Sequence, residues 1–138
     1  MTGSLYAILP AGAALGFVCA VTLMALRPVS RPGGWQWPAL LSAIFLAFSL
    51  WVVAREGPLG FWTLHSANGW GVQVWTDLLM AGATAVFLLL PRARAVGMRG
   101  GPWVVLVACT GSIGLLAMLA RCLFLEARRA DPSTETAP

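Results

Sequence analysis

Long apolar runs alternate with short polar breaks along the chain. Four runs are long enough to cross the hydrocarbon core of a bilayer, which takes about 20 residues as an α-helix. Their predicted limits are residues 5–26, 36–54, 69–90 and 102–125. Each break carries Pro, Gly or Arg, residues that end helices or avoid hydrocarbon. The pattern therefore predicts an all-α fold, a four-helix transmembrane bundle.

The bundle is expected to form one domain, residues 1–129, followed by a polar tail, residues 130–138, with two prolines. The tail lacks an apolar period, so we expect it to be disordered. The first run has no positively charged start and is longer than the apolar region of a secretory signal. We therefore expect it to be a permanent helix.

The composition agrees with a membrane environment. Of the 138 residues, 59% are hydrophobic and 10% are charged, whereas a soluble domain carries about 25% charged residues. The net charge is +4, and all nine basic residues are Arg. They flank the apolar runs instead of forming one stripe, which argues against a nucleic-acid partner and favours contact with lipid headgroups. The expected partner is the lipid bilayer.

Tryptophan and arginine positions predict how the helices sit in the membrane. Most of the seven tryptophans lie near predicted helix ends, where indole rings favour the headgroup boundary. Two loops on one side of the predicted bundle hold Arg27, Arg31, Arg92, Arg94 and Arg99. Short cytoplasmic loops are rich in Arg. We therefore expect a multi-pass protein of a bacterial inner (plasma) membrane with both termini periplasmic.

Asp77 is an acidic residue inside a predicted span. A charged group there costs roughly 2.5–3.5 kcal/mol unless it faces protein or water. Gln73, Ala81 and Thr84 share its helix face, so this stripe is expected to face neighbouring helices. Arg121, on an antiparallel fourth helix, is expected near the same bilayer surface. Two interpretations stay open: a structural Asp77–Arg121 ion pair, and a proton or substrate site.

A second polar group is expected in the loop after the second predicted helix. It contains His65, Arg55 and Glu56. A histidine beside a carboxylate can do acid–base chemistry or bind a metal, although a single interfacial histidine is more often solvated. The sequence has one His, no C-x-x-C pair and no nucleotide-binding or hydrolase motif. We therefore predict no catalytic residue, no metal and no cofactor.

Small residues mark expected helix contacts. Gly12 and Gly16 form a G-x-x-x-G pair in the first run, and Gly114 lies in the fourth. Glycine lets helices approach closely in lipid. We expect these positions to pack the bundle, with contact between two copies as the alternative for the first helix.

Six short motifs follow one another between residue 66 and about residue 125. They occupy residues 67–70, 75–79, 91–94, 97–98, 102–103 and 111–115. Their order resembles a family of small bacterial integral membrane proteins classed as a domain of unknown function (the 2834 type). The resemblance covers mainly the second half of the chain and implies a membrane fold without an assigned activity. More distantly, the pattern is similar to a plant membrane family linked to neoxanthin formation, which would imply a lipid or carotenoid partner.

Three functions are compatible with these observations. The first is a non-catalytic accessory or scaffold module, acting as a homo-oligomer or in a larger membrane complex. The second is an oligomeric small-molecule transporter that uses Asp77. The third is a membrane-embedded enzyme or binder of a carotenoid- or quinone-like lipid. The sequence favours the first, a protein that is not an enzyme.

Overall fold

A computed structural model of the protein describes residues 2–26 and 34–130, with side chains from residue 8 onward. The chain forms two compact units, Met1–Arg31 and Pro32–Pro138. Six helices and no strands make up the regular structure of the described residues, which confirms the all-α class. They are α1 (Thr2–Leu26) in the first unit and α2 (Gln36–Glu56), α3 (Gly60–Ser66), α4 (Gly69–Ala95), α5 (Gly100–Thr110) and α6 (Ser112–Ala130) in the second.

Two sequence predictions fall on residues that the structure does not describe. The predicted disordered tail lies outside the described residues, except for Ala130. The same holds for Arg27 and Arg31, which entered the prediction of orientation.

Three of the described helices are long and apolar enough to cross a membrane. The first is Ile8–Leu26 within α1, and the other two are α2 and α4; their mean hydropathies are 2.1, 2.0 and 1.6. Few of their side chains are buried inside the structure, and so much uncovered apolar surface requires a medium less polar than water. The chain is a membrane protein.

Glycine and asparagine explain where the helices around α3 begin and end. Gly57 ends α2 with φ +84°, a backbone conformation that favours glycine, and its N–H donates to the Val53 carbonyl at 2.9 Å. Asn68 caps α4, since its side-chain oxygen accepts a hydrogen bond from the Gly71 N–H at 3.0 Å. The short helix α3 lies between them, in the segment predicted to be a loop.

The third predicted helix continues to Ala95, beyond the expected end at residue 90. Pro91 lies inside this helix and does not end it. Gly97, with φ +85°, does: its N–H donates to the Arg94 carbonyl at 2.9 Å, and the Met98 N–H donates to the Ala93 carbonyl at 3.0 Å. These two bonds form a Schellman motif.

The fourth predicted helix is interrupted at Gly111, and the chain reverses there. Gly111 has φ +59° and ψ −125°. A Cβ built on Gly114 would lie 2.9 Å from the Leu106 carbonyl oxygen, although in a straight helix the two residues would be about 12 Å apart along the axis. The Gly111 N–H still donates to the Val107 carbonyl at 2.7 Å, and its own carbonyl accepts from Leu115 at 3.1 Å. We call residues 100–130 the α5–α6 hairpin.

Helix α6 packs against α2, α4 and α5. On α2, Trp35 contacts Phe124 and the Ser42 hydroxyl donates to the Ile113 carbonyl at 2.9 Å, so these helices are antiparallel. Between α4 and α6, Arg92 contacts Glu126, and Ala95, three residues later, contacts Arg129, three residues after Glu126. The two helices are therefore parallel. The core between them consists of Leu89, Ala93, Val96, Met98, Val107, Met118 and Cys122.

Candidate functional site

Asp77 lies on an exposed face of α4. An open groove along this face is lined by Trp70, Gln73, Val74, Thr76, Asp77 and Met80. The hydroxyls along α4 are satisfied within the helix: Thr76 donates to the Val72 carbonyl at 2.8 Å, and Thr84 donates to the Met80 carbonyl at 2.9 Å. The carboxylate of Asp77 makes no hydrogen bond or ion pair with residues 8–26 or 34–130. Asp77 is therefore an acidic group on this face without a partner among the described residues.

Arg121 does not pair with Asp77, contrary to one of the two interpretations drawn from the sequence. It lines a separate cleft between α2 and α6. The prediction assumed a straight fourth helix antiparallel to α4, whereas α6 runs parallel to α4 and places Glu126 beside Arg92. At 1.5 Å per residue, Arg121 then lies about 15 Å beyond Asp77 along the helix axes. The break at Gly111 is the cause of the separation.

His65 is held by aromatic residues of α3 and α4. Its Nδ1–H donates to the Phe61 carbonyl at 2.6 Å, and its ring centroid lies 5.1 Å from that of Trp75. The corner is tight because a Cβ on Gly71 would come within 2.8 Å of the His65 carbonyl oxygen. Of the predicted polar group, His65 therefore lies in a tightly packed corner between α3 and α4.

The other members of that predicted group lie in the last turn of α2. The Arg55 guanidinium stacks over the Trp51 ring at 5.7 Å, and Glu56 follows it. Arg55 therefore contacts Trp51, whereas His65 contacts Trp75. Within residues 8–26 and 34–130, no three His, Cys, Asp or Glu side chains come together as a metal site would require.

An ion pair between Arg92 and Glu126 lies at the opposite end of α4. Arg92 Nε and Nη2 donate to the two carboxylate oxygens at 2.5 and 2.6 Å. This two-pronged bond lowers the pKa of Glu126 below its ordinary value of 4.5. The Cys122 thiol also donates to Glu126, at 3.6 Å, and the Arg129 guanidinium donates to the Ala95 carbonyl at 2.6 Å. These contacts tie the end of α6 to the end of α4.

Sequence reasoning missed this pair because Glu126 lies just outside the predicted fourth span. The only sequence signal was an acidic residue among flanking arginines, 34 positions from Arg92. Without the fold-back of α6, the two residues would have been assigned to opposite membrane surfaces.

The three glycines predicted to pack helices have different surroundings. A Cβ built on Gly12 or Gly16 meets no atom within 4 Å. A Cβ on Gly114 would lie 2.7 Å from the Thr110 hydroxyl oxygen and 2.9 Å from the Leu106 carbonyl. Gly114 thus permits the close approach of α5 and α6 beside the reversal.

No family model, no curated protein and no solved structure matches the chain. The resemblance to the uncharacterised bacterial family therefore stays a prediction, and function has to be argued from the residues themselves.

Proposed function

We propose that this protein is a non-catalytic scaffold module of the membrane, which associates with a second copy of itself through the α4 face around Asp77. The observation that carries the proposal is the exposed carboxylate of Asp77 on a helix apolar enough to span a bilayer. Intramembrane acidic groups face protein or water instead of lipid. A second helix against this face would remove the exposure.

The depth of Asp77 makes lipid exposure costly. Arg92 marks the polar end of α4, and a hydrocarbon core of about 30 Å reaches back from there to roughly residue 72. Asp77 then lies roughly 7 Å inside the opposite boundary of the hydrocarbon, where a charged group costs up to about 3 kcal/mol. A hydrogen-bonded partner offsets part of that cost.

The chain's other spans offer the carboxylate no strong donor. Residues 8–26 of α1 and residues 37–54 of α2 contain no Arg, Lys, His, Asn or Gln. Gln36 is the first residue of α2, next to Trp35, which contacts Phe124 of α6. The α4 face itself supplies one in Gln73, one turn before Asp77. In a two-fold dimer, the Gln73 amide of each copy can donate to Asp77 of the other, because residue i contacts j and j contacts i.

The same proposal includes a membrane topology with three crossings, by α1, α2 and α4. Helix α5 has 11 residues, about 16 Å, which reaches only half of the hydrocarbon core. The α5–α6 hairpin would then enter and leave on one side, where its backbone groups are satisfied by protein. The fourth crossing predicted from the sequence would require residues 102–125 to form one straight helix, whereas they are divided between α5 and α6.

Charge supports an orientation that differs from the sequence prediction. The ends of α4 and α6 meet at one end of the second unit, which carries Arg92, Arg94, Arg99, Arg128 and Arg129. Arg-rich ends face the cytoplasm. We therefore propose a bacterial inner-membrane protein with a cytoplasmic C-terminus and an N-terminus on the opposite side.

Dimerisation of two differently labelled copies in vesicles tests the scaffold proposal. Asp77→Leu should lower the dimer association constant measured by energy transfer about tenfold or more, because two symmetric polar contacts of roughly 1 kcal/mol each are lost. Asp77→Asn should retain part of the association, since an amide still hydrogen-bonds. Glu126→Gln is the matched control, a carboxylate with an internal partner, and should dimerise like wild type.

Equal dimerisation of the Asp77→Leu and wild-type proteins would contradict the proposal. A variant Asp77→Asn that dimerises normally but abolishes proton-driven uptake of a small molecule would favour the transporter instead.

A further inference from the structure

Two arginines of α6 bracket one aromatic ring. The guanidinium carbons of Arg121 and Arg128 lie 5.6 and 5.1 Å from the centre of the Phe124 ring. Trp35, at the start of α2, contacts the same ring edge-on, with centroids 5.3 Å apart and planes at 81°. Positions 121, 124 and 128 share one helix face. The result is a cluster with two cations held beside an aromatic platform.

These two guanidiniums have unused donor capacity. In the described part of the chain, neither Arg121 nor Arg128 makes a hydrogen bond or an ion pair. The nearby carboxylate of Glu126 already accepts from Arg92 through both oxygens. Each Arg therefore retains its N–H groups for an anion that the described residues do not supply.

The cluster forms the rim of a cleft with an apolar floor. The cleft lies between α2 and α6 and is lined by Trp35, Ala39, Ala120, Arg121 and Phe124. The methyl side chains of Ala39 and Ala120 leave a space of about 350 Å³ beside the aromatic rings. A charged rim above an apolar floor fits an amphipathic ligand and suits a free anion poorly.

We propose that this cleft binds an anionic membrane phospholipid. Arg121 and Arg128 hold the phosphate, and one acyl chain lies against Ala39 and Ala120. Arginine donates to phosphate in a forked geometry, and basic pockets beside transmembrane helices on the cytoplasmic side bind lipid headgroups. Trp35 and Phe124 place the phosphate at the membrane boundary, where aromatic rings are favoured.

The site is separate from the α4 face of the proposed dimer. None of the residues that line it lies in the groove around Asp77. The lipid proposal rests on the proposed cytoplasmic orientation of this end but not on the dimer, so loss of dimerisation leaves it standing, and loss of lipid binding leaves the dimer standing.

Native mass spectrometry of the delipidated full chain, titrated with phosphatidylglycerol or phosphatidylcholine, tests the proposal. Wild type should prefer the anionic lipid. The double substitution Arg121→Ala with Arg128→Ala should weaken phosphatidylglycerol binding about tenfold or more, because both phosphate-binding charges are lost. The matched control, Arg94→Ala with Arg99→Ala, removes the same charge at the same end and should bind like wild type.

Two further variants separate the sources of binding. Ala39→Phe fills the floor without changing charge and should weaken lipid binding, while the pair Arg121→Lys and Arg128→Lys keeps charge and should bind with intermediate affinity. Both report on the site even if the double Ala variant fails to fold.

Three results would overturn the proposal. The first is equal weakening by the double Ala substitution and its control, which would indicate diffuse surface charge. The second is an unchanged affinity in the double Ala variant. The third is competition by millimolar inorganic phosphate with no effect of Ala39→Phe, which would indicate a soluble phosphate ligand.

Discussion

Gly111 offers the sharpest test of the α5–α6 hairpin. Its φ of +59° with ψ of −125° lies in a region that residues with a Cβ avoid. A Cβ built there would meet no atom within 4 Å. The cost of Gly111→Ala is therefore backbone strain alone, without a collision to confuse the measurement.

The expected magnitude follows from that strain. A non-glycine residue held in such a conformation costs about 1–3 kcal/mol, which corresponds to a factor of roughly 5 to 150 in the folding equilibrium. Unfolding of the purified protein in mixed micelles, with increasing sodium dodecyl sulfate and circular dichroism as the readout, resolves a change of this size. Gly111→Ala should shift the midpoint to lower dodecyl sulfate.

Gly101→Ala is the matched control. Gly101 lies in the first turn of α5 and also has no atom within 4 Å of a built Cβ. Alanine is preferred over glycine in a helix by up to about 1 kcal/mol, so this variant should be as stable as wild type or more stable.

The sign of the Gly111 effect distinguishes two structures. In a continuous fourth helix, Gly111→Ala would stabilise the protein by up to about 1 kcal/mol, like any helical Gly→Ala change. In the hairpin, it destabilises the protein. A stabilised Gly111→Ala protein would therefore refute the fold-back and every argument built on it.

Two further predictions concern the end where α4 and α6 meet. A reporter fused to the C-terminus should be accessible from the cytoplasm of the expressing bacterium, whereas periplasmic accessibility would match four crossings and contradict the hairpin topology. Because the pKa of Glu126 is lowered in the folded protein, its pair with Arg92 stabilises the fold above the ordinary pKa of 4.5 and loses this contribution as the pH falls through the folded-state value. Micellar unfolding measured from pH 7 downward should show this loss set in below pH 4.5, up to about 1 kcal/mol for a partly exposed pair, with a smaller pH dependence in Glu126→Gln. Equal pH dependence in both proteins would contradict the assignment.

Hydropathy predicted the long helices because the apolar run that forms each helix is continuous in the sequence. The starts of α2 and α4 were placed correctly, at Gln36 and Gly69. The end of α4 was placed five residues early because Pro91 was taken as the stop, although Gly97 carries the Schellman motif. Helix α3 was missed because seven residues between polar breaks hold too little apolar periodicity to separate a short helix from a loop.

The position of Arg121 could not be predicted for a different reason. The fourth run is apolar enough to pass for a straight span, and a single glycine inside a helix costs only about 1 kcal/mol. The reversal at Gly111 depends on tertiary contacts far apart in sequence, such as the Ser42 hydrogen bond to the Ile113 carbonyl and the packing of Met118 in the core. Once the chain turns back, Arg121 lies beside Trp35 and Phe124, away from Asp77. One backbone reversal therefore separates Asp77, for which we propose a partner on a second copy, from Arg121, for which we propose a lipid phosphate. The local sequence pattern alone does not contain that information.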